Sequence, residues 1–331
     1  MEAKLSQSAT TAMPPAWRQW IAKHAIALYP VLVILALVVF FAVQNPNFAT
    51  FDNAMNIGRQ SSVLLLVALA GTMVIMIGSI DLSVGSIVTL AGIVAALTID
   101  SAGPVVAILA GIGTGLVVGL INGVTLISLK VPSFLVTLGM LSILSGIANM
   151  ICGGASIMFM DLSLTNFVNA ELIPGLPTII LVALLSAAAL TFIAFKTVLG
   201  RYLFAIGGGE IVAANSGVPV NRYKVYAFML SGALCGLAGV LLTAQVGAGT
   251  PAAGANMLLD SIAAIVMGGT ALSGGIGGPQ RTILGVLVIA ILSNGMDVTE
   301  VSSFTQEIVK GLVIILAVAS TIDRKKYPFI K

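Results

Sequence analysis

The sequence predicts an all-α polytopic membrane protein, and two observations carry this prediction. Of its 331 residues, 58% are hydrophobic and only 8% are charged, whereas a soluble domain carries roughly a quarter charged residues. The apolar runs are also about 18–25 residues long without polar alternation, as membrane-spanning helices require and barrel strands do not. Such a chain cannot cover a water-facing surface, so most of it is expected to lie in a lipid bilayer.

Breaks that are polar or rich in glycine and proline divide the apolar sequence into about ten predicted transmembrane helices. In order, they cover 25–43, 60–80, 82–99, 104–129, 132–153, 176–195, 223–246, 255–267, 282–293 and 304–322. A segment at 1–24 precedes the first helix and a basic tail at 323–331 follows the last. The organisation predicted is therefore a single transmembrane domain at 25–322.

The basic residues predict the orientation of these helices. An even number of crossings places both termini on one side, and all of the 15 Lys and Arg residues except Arg59 and Lys310 then fall on that side. Positive charge concentrates in cytoplasmic loops. We therefore expect both termini, and the polar segment 198–224, to be cytoplasmic.

The polar segment 198–224 interrupts the apolar sequence between the sixth and seventh predicted helices. It contains a short helix-forming run at 210–215, with three glycines before it and Gly217 and Pro219 after it. Glycine and proline at these positions predict a short helix with a flexible entry and a firm end. It is either an ordinary solvated loop or a docking element. The chain has no Gly-Lys-Ser/Thr phosphate-binding motif, so any ATPase that drives it must be another chain.

Two pairs of segments repeat within the chain and predict an internal duplication. Residues 76–85 resemble 266–275, and residues 131–134 resemble 301–304. Internal repeats with glycine-rich interruptions are common in transporters and mark the transport path. The first pair predicts the same orientation for its two copies and the second predicts opposite orientations, so the symmetry is left open.

Two carboxylates lie in or beside predicted helices, where a charge is costly and usually paired or functional. Asp81 precedes the third helix, so it either caps that helix through backbone N–H bonds or serves as a substrate contact or proton site. Asp260 lies early in the eighth predicted helix. It either faces the outer membrane–water interface, caps this helix, or lines the outer mouth of the transport path. Lys310 follows Glu307 by three residues, which predicts an ion pair within the tenth helix.

Other polar residues within helices are expected mainly to form interhelical hydrogen bonds, with one or two touching substrate. Glycine runs at 111–119 and 232–239 indicate close helix packing. The residues predicted to line the path, or to serve as structural polar groups, are Asp81, Ser83, Asn122, Gln245, Asp260 and Ser273.

Several motifs give the chain a family resemblance. GSIDLSVGSIVTLAG (78–92), GRYLFAIGGGEIVAANSGVPV (200–220) and MGGTALSGGIGG (267–278) occur in order. They resemble the permease subunits of bacterial ABC importers for monosaccharides, of the ribose, xylose, arabinose and galactose type. The resemblance extends over about 45–323.

The resemblance implies a multi-pass inner-membrane subunit that works as a homodimer and translocates a monosaccharide or similar polyhydroxy molecule. A periplasmic binding protein delivers the sugar, and a separate ATPase subunit binds ATP and magnesium. The chain itself is expected to be no enzyme, to hold no cofactor or metal, and to contact lipid but no nucleic acid. Its two cysteines and single histidine lack metal-ligand spacing.

In such importers a short cytoplasmic coupling helix docks the ATPase and often carries an E-A-A…G pattern. Here Glu210, Ala213, Ala214 and Gly217 match a looser version, with two residues inserted after the acid. The small face of Ala213 and Ala214 is expected to seat in a groove of the ATPase, with polar contacts fixing the register. The predicted coupling residues are Arg201, Gly209, Glu210, Ala213, Ala214, Ser216 and Gly217.

The alternative is an ion-coupled secondary transporter that uses Asp81 and Asp260 as proton or sodium sites. Such a transporter needs no docking helix, so this interpretation leaves the segment 198–224 unexplained.

Overall fold

The computed structural model describes residues 16–321. The predicted tail 323–331 and most of the predicted segment 1–24 lie outside the described residues. Within them the chain forms twelve α-helices, one short 3-10 helix and a pair of two-residue strands. The helices are α1 (Ala16–Gln44), α2 (Phe51–Ile75), α3 (Val84–Leu129), α4 (Ser133–Cys152), α5 (Ser163–Asn169), α6 (Thr178–Lys196), α7 (Val198–Gly208), α8 (Glu210–Asn215), α9 (Val220–Val246), α10 (Met257–Met267), α11 (Pro279–Val298) and α12 (Ser303–Thr321). The antiparallel strands are β1 (Ile157–Met158) and β2 (Ala248–Gly249), and the 3-10 helix is Pro46–Ala49.

Six of the described helices are long and apolar enough to cross a membrane: α2, α3, α4, α6, α9 and α11. Residues 28–44 of α1, together with α7 and α10, are shorter apolar helices. This confirms the predicted class, an all-α polytopic membrane protein.

The longest helix, α3, is two helices joined at a sharp break. Its 46 residues would extend about 69 Å, more than twice the roughly 30 Å of a bilayer core. Gly103 has φ 82° and ψ 171° and is followed by Pro104, so the backbone leaves the helix there. Before the break, Asp100 accepts hydrogen bonds from the N–H groups of Met160 (2.9 Å) and Asp161 (2.8 Å), which anchors it to the connection after α4. The break lies where the third and fourth predicted helices meet.

The two parts of α3 pack against α9 through glycines at close backbone distance. A Cβ added to Gly115 would collide with the carbonyl of Gly232, and one added to Gly239 would collide with the carbonyl of Val88. The helices can approach this closely only because at least one residue of each contact is glycine, which has no side chain. We call this contact the glycine seam. It consists of Gly92, Gly111, Gly115, Gly119, Gly232, Gly236 and Gly239.

In contrast, α10 is too short to cross a membrane by itself. Its 11 residues extend about 16 Å, and the segment before it, 250–256, is a series of turns rather than the start of a helix at 255 as predicted. This segment is packed on α3, where Gly254 N–H donates to Thr89 Oγ1 (3.0 Å). A Cβ on Gly254 would collide with the Gly85 carbonyl. Non-helical backbone is tolerated at membrane depth when protein buries it in this way.

The first pair of repeated segments comes together in space. The connection between α2 and α3 (76–83, loop A) meets the connection between α10 and α11 (268–278, loop B), and Gly275 N–H donates to the Met76 carbonyl at 3.1 Å. Both loops lie against Gly207 near the end of α7, where a Cβ would collide with Met76. The polar segment 198–224 therefore touches both copies of the repeat directly.

Candidate functional site

The short helix predicted inside the polar segment is present with the predicted bounds. α8 covers Glu210–Asn215. At its end, Gly217 adopts a left-handed conformation with φ 84°, and the N–H of Val218 donates to the carbonyl of Ala213 at 3.1 Å. Glycine takes up this conformation without the steric cost that a Cβ would add. The chain thus leaves α8 abruptly and enters α9 within a few residues.

The exposed face of α8 differs from the one predicted. Ala214 is exposed, but Ala213 is buried, with 5% of its surface exposed, so Ala213 packs inside this chain rather than being free to seat in a partner. The large side chains Ile211 and Val212 are instead 78% and 69% exposed. A six-residue helix presents one face to its own protein, and residue 213 lies on that face. The exposed anchors are therefore the two large apolar residues that precede the predicted alanines.

Glu210 is held by a residue of the next helix. Both carboxylate oxygens of Glu210 lie 2.7 Å from Lys224 Nζ, near the start of α9. The lysine side chain is 15% exposed and the glutamate side chain 52%. An exposed pair of this kind adds little stability, but its two hydrogen bonds fix the position of α8 relative to α9. Glu210 was predicted as a coupling residue, and sequence reasoning missed Lys224 as its partner.

The surroundings of α8 connect it to the repeated loops. An open groove of about 1020 Å³ runs along α8 and the start of α9 and includes Arg222. A second cavity of about 550 Å³ lies between loop A, the turn from α3 to α4 at Lys130, and the Glu210–Lys224 pair. Of the remaining predicted coupling residues, Arg201 is exposed on α7, and the Ser216 hydroxyl donates to the Val212 carbonyl at 2.9 Å. Gly209 is half-buried before α8.

Three of the predicted path residues form one buried cluster. Asp81 Oδ1 accepts hydrogen bonds from the N–H (2.9 Å) and the hydroxyl (2.6 Å) of Ser83, and Asn122 Nδ2 donates to Ser83 Oγ at 2.9 Å. Ser83 is the N-cap residue immediately before α3, so the Asp81 carboxylate bonds the backbone directly ahead of that helix. All three residues are at most 5% exposed. Asp81 Oδ2 and Asn122 Oδ1 have no hydrogen-bond partner in the described protein.

Asp260 has a charged partner that the sequence did not indicate. Lys310 Nζ lies 3.2 Å from Asp260 Oδ2, whereas the sequence predicted a pair between Lys310 and Glu307. That prediction is wrong, since Glu307 is exposed and Lys310 reaches across from α12 to α10 instead. Spacing along one helix allows a pair but cannot rank it against a partner on a neighbouring helix.

The other two predicted path residues lie apart from both clusters. Gln245 is half-buried near the end of α9. Ser273 is exposed in loop B, and its carbonyl faces Gly78 of loop A. The polar candidates therefore divide into a sealed cluster, a charged pair, and two separate residues.

Comparison with known proteins gives consistent matches over nearly the whole chain. Residues 53–318 match the family model described as the permease component of branched-chain amino acid transport systems. The ribose import permease protein of Escherichia coli K12 is 36% identical over 89% of this chain and 92% of its own length. That of Bacillus subtilis 168 is 38% identical over 90% and 93%. The D-allose transport system permease protein of Escherichia coli K12 is 35% identical over 88% and 90%. No solved structure matches the chain.

Proposed function

The chain belongs to the permease-component family of branched-chain amino acid transport systems, and from this premise we propose that α8 is the helix through which a separate ATPase drives it. It is a multi-pass permease subunit of an ABC importer for a sugar, located in the bacterial inner membrane, and it is not an enzyme. Two questions follow from this identity: how energy enters the chain, and along which surface the sugar passes.

The observation that carries the proposal is the exposure of Ile211 and Val212 on a helix that is otherwise tied down. Large apolar side chains that are more than two-thirds exposed at the tip of a polar segment mark a contact surface. Interface energy is concentrated in such central anchors. The Glu210–Lys224 pair and the contact of Gly207 with loops A and B connect this surface to the membrane-embedded helices. Movement of the ATPase on α8 would thus reach both loops.

We further propose the topology predicted from the sequence. If α3 counts as two crossings and the β2–α10 segment as one, the chain crosses the membrane ten times, with both termini and α8 in the cytoplasm. This is supported by Lys130 and Lys224, which line one cavity beside α8, because positive charge concentrates on the cytoplasmic side. We also retain the proposed internal duplication, supported by the contact of loop A with loop B.

The proposed partners follow from the same arrangement. A periplasmic sugar-binding protein delivers the solute at the end opposite to α8. Two copies of the chain form the path, each docked to an ATPase subunit that binds ATP and magnesium. The ion-coupled alternative has less support, because Asp81 is sealed while it caps α3, and Asp260 is already paired with Lys310.

The docking proposal is tested by placing a charge on the exposed face of α8. Ile211→Asp is expected to reduce copurification of the ATPase by about tenfold or more, the effect of losing an anchor worth at least about 1.4 kcal/mol. ATP-driven sugar uptake into vesicles falls with it. The matched control is Ile173→Asp, a 52% exposed isoleucine in the connection before α6, which leaves ATPase copurification unchanged. Normal copurification with Ile211→Asp would contradict the proposal.

The energy source is tested separately. Uptake that stops on ATP depletion but survives a protonophore supports the ABC mechanism. The opposite pattern supports the ion-coupled transporter.

A further inference from the structure

The Asp260–Lys310 pair joins two apolar helices, α10 and α12, and protein covers it only in part. The side chains of Asp260 and Lys310 are 20% and 22% exposed. α11 carries the chain away from loop B to the end where Asn45 bonds the Val298 carbonyl, and α12 begins there. Lys310 is seven residues along α12, about 10 Å from that end. The pair therefore lies about two turns inside an apolar helix rather than at its terminus.

A partly exposed ion pair between apolar helices of a membrane protein is not expected to face lipid. Charged side chains within membrane segments almost always face the protein interior or a water-filled cavity, because hydrocarbon solvates them poorly. Asp81 meets this requirement by being sealed in the protein. Since about a fifth of each side chain of the Asp260–Lys310 pair is open, this surface needs water or a solute against it.

The neighbouring polar group adds to the same surface. Asn256 is exposed and lies four residues before Asp260, on the same face of the chain, and its carbonyl accepts the N–H of Asp260 at 3.2 Å. Together, a carboxylate, an ammonium group and a carboxamide offer both donors and acceptors. Interrupted helices are also where transporters bind their solutes, and α10 is a short helix that follows a turn segment.

We propose that Asn256, Asp260 and Lys310 line the water-filled path and hydrogen-bond the hydroxyl groups of the passing solute. The acid and the base neutralise each other, so the surface suits a neutral polyhydroxy compound rather than a sugar acid or a sugar phosphate. This inference rests on the proposed function as a sugar permease, and it adds the residues that the sugar contacts and the charge class of solute.

Accessibility to water tests the inference without any sugar or ATPase. The native cysteines are first replaced by Cys152→Ser and Cys235→Ala. Leu259→Cys then introduces a thiol beside Asp260 at a position 60% exposed, and Leu185→Cys introduces one on α6 at a position 69% exposed. A charged methanethiosulfonate reagent, applied to the full chain in vesicles, is expected to modify Leu259→Cys at least tenfold faster. Asn256→Cys serves as a second reporter on the same surface.

Equal rates at the two leucine positions, with Asn256→Cys as slow as Leu185→Cys, would overturn the inference. Rapid modification at residue 259 in a chain that fails to recruit the ATPase would support the proposed solute path and contradict the docking of the ATPase on α8. Failure of one proposal can therefore be told apart from failure of the other.

Uptake tests the contact itself. Asp260→Asn is expected to lower uptake at least tenfold for whichever of D-ribose and D-allose the unaltered transporter takes up better, while ATPase copurification is unchanged. Unchanged uptake in this variant would contradict a role for Asp260 in contacting the solute.

Discussion

The glycine seam and the surface around Asp260 are both formed by apolar helices, and they differ in how much room they leave. In the seam, α3 and α9 meet backbone to backbone, and an added Cβ has nowhere to go. Around Asp260, a partial helix, a turn segment and α12 leave two charged side chains and Asn256 partly open. A seam of this kind cannot open without separating two helices. The loosely packed surface can accept a solute with no such cost.

Asp81 belongs to loop A, where its partner Ser83 bonds Asn122 of the seam helix α3, whereas Asp260 belongs to the open surface. The surroundings of the two carboxylates differ. Asp81 is 5% exposed and its Oδ1 is occupied by Ser83. Asp260 has an ammonium partner and remains partly exposed. An acid within a membrane protein is thus a structural group or a candidate solute contact according to its neighbours. Three experiments would break or sharpen the comparison between the seam and the open surface.

The largest effect is expected in the seam. Gly115→Ala places a methyl group against the Gly232 carbonyl, so α3 and α9 must separate, at a cost near or above the upper end of the roughly 1–3 kcal/mol typical of overpacking. Gly113→Ala is the matched control, because nothing lies within 4 Å of its added Cβ and alanine favours a helix over glycine by about 1 kcal/mol. Thermal denaturation in detergent, followed by the monodisperse fraction, measures both. Equal stability of the two variants would show that the seam can relax.

A smaller effect is expected at Asp81. Asp81→Ala leaves the buried N–H and hydroxyl of Ser83 without their acceptor, which costs about 1–3 kcal/mol. Asp81→Asn keeps an acceptor oxygen and needs no counter-charge, so its stability and sugar uptake are expected to stay near those of the unaltered protein. Loss of uptake in Asp81→Asn, with stability retained, would instead make Asp81 a transport residue.

The smallest effect on stability, together with the greatest loss of transport, is expected at the Asp260–Lys310 pair. Replacing Asp260 and Lys310 together by leucine removes a largely buried charged pair, and apolar replacement of such pairs is often neutral. The free energy of unfolding is expected to change by less than about 1 kcal/mol, while uptake is lost. Denaturation and vesicle uptake measured on one preparation test both statements. A large loss of stability would assign the pair to the fold.

Local patterns predicted much of the architecture. The length of the apolar runs indicated the all-α membrane class, and glycine and proline placed the ends of α8 at the residues observed. The bond of Asp81 to the backbone ahead of α3 could also be predicted, because its partner Ser83 is only two positions away. These features depend on interactions within a few residues of the chain, which a sequence displays directly.

The partners of the charged groups could not be predicted from local sequence patterns. Lys310 pairs with Asp260, 50 residues away, rather than with Glu307. Glu210 pairs with Lys224 across a change of helix. The burial of Ala213, and with it the identity of the exposed anchors on α8, depends on which face of a short helix meets its own protein.

The sequence by itself therefore determined that this chain is a helical membrane protein and that a short helix interrupts its apolar segments. Hydrophobic length and backbone preference are properties of contiguous residues, so they can be read without a fold. Only the tertiary structure decided that Asp81 is sealed while Asp260 stays open. That difference arises from the distance at which α3, α9, α10 and α12 pack, and packing distance is a property of pairs of helices rather than of any one of them.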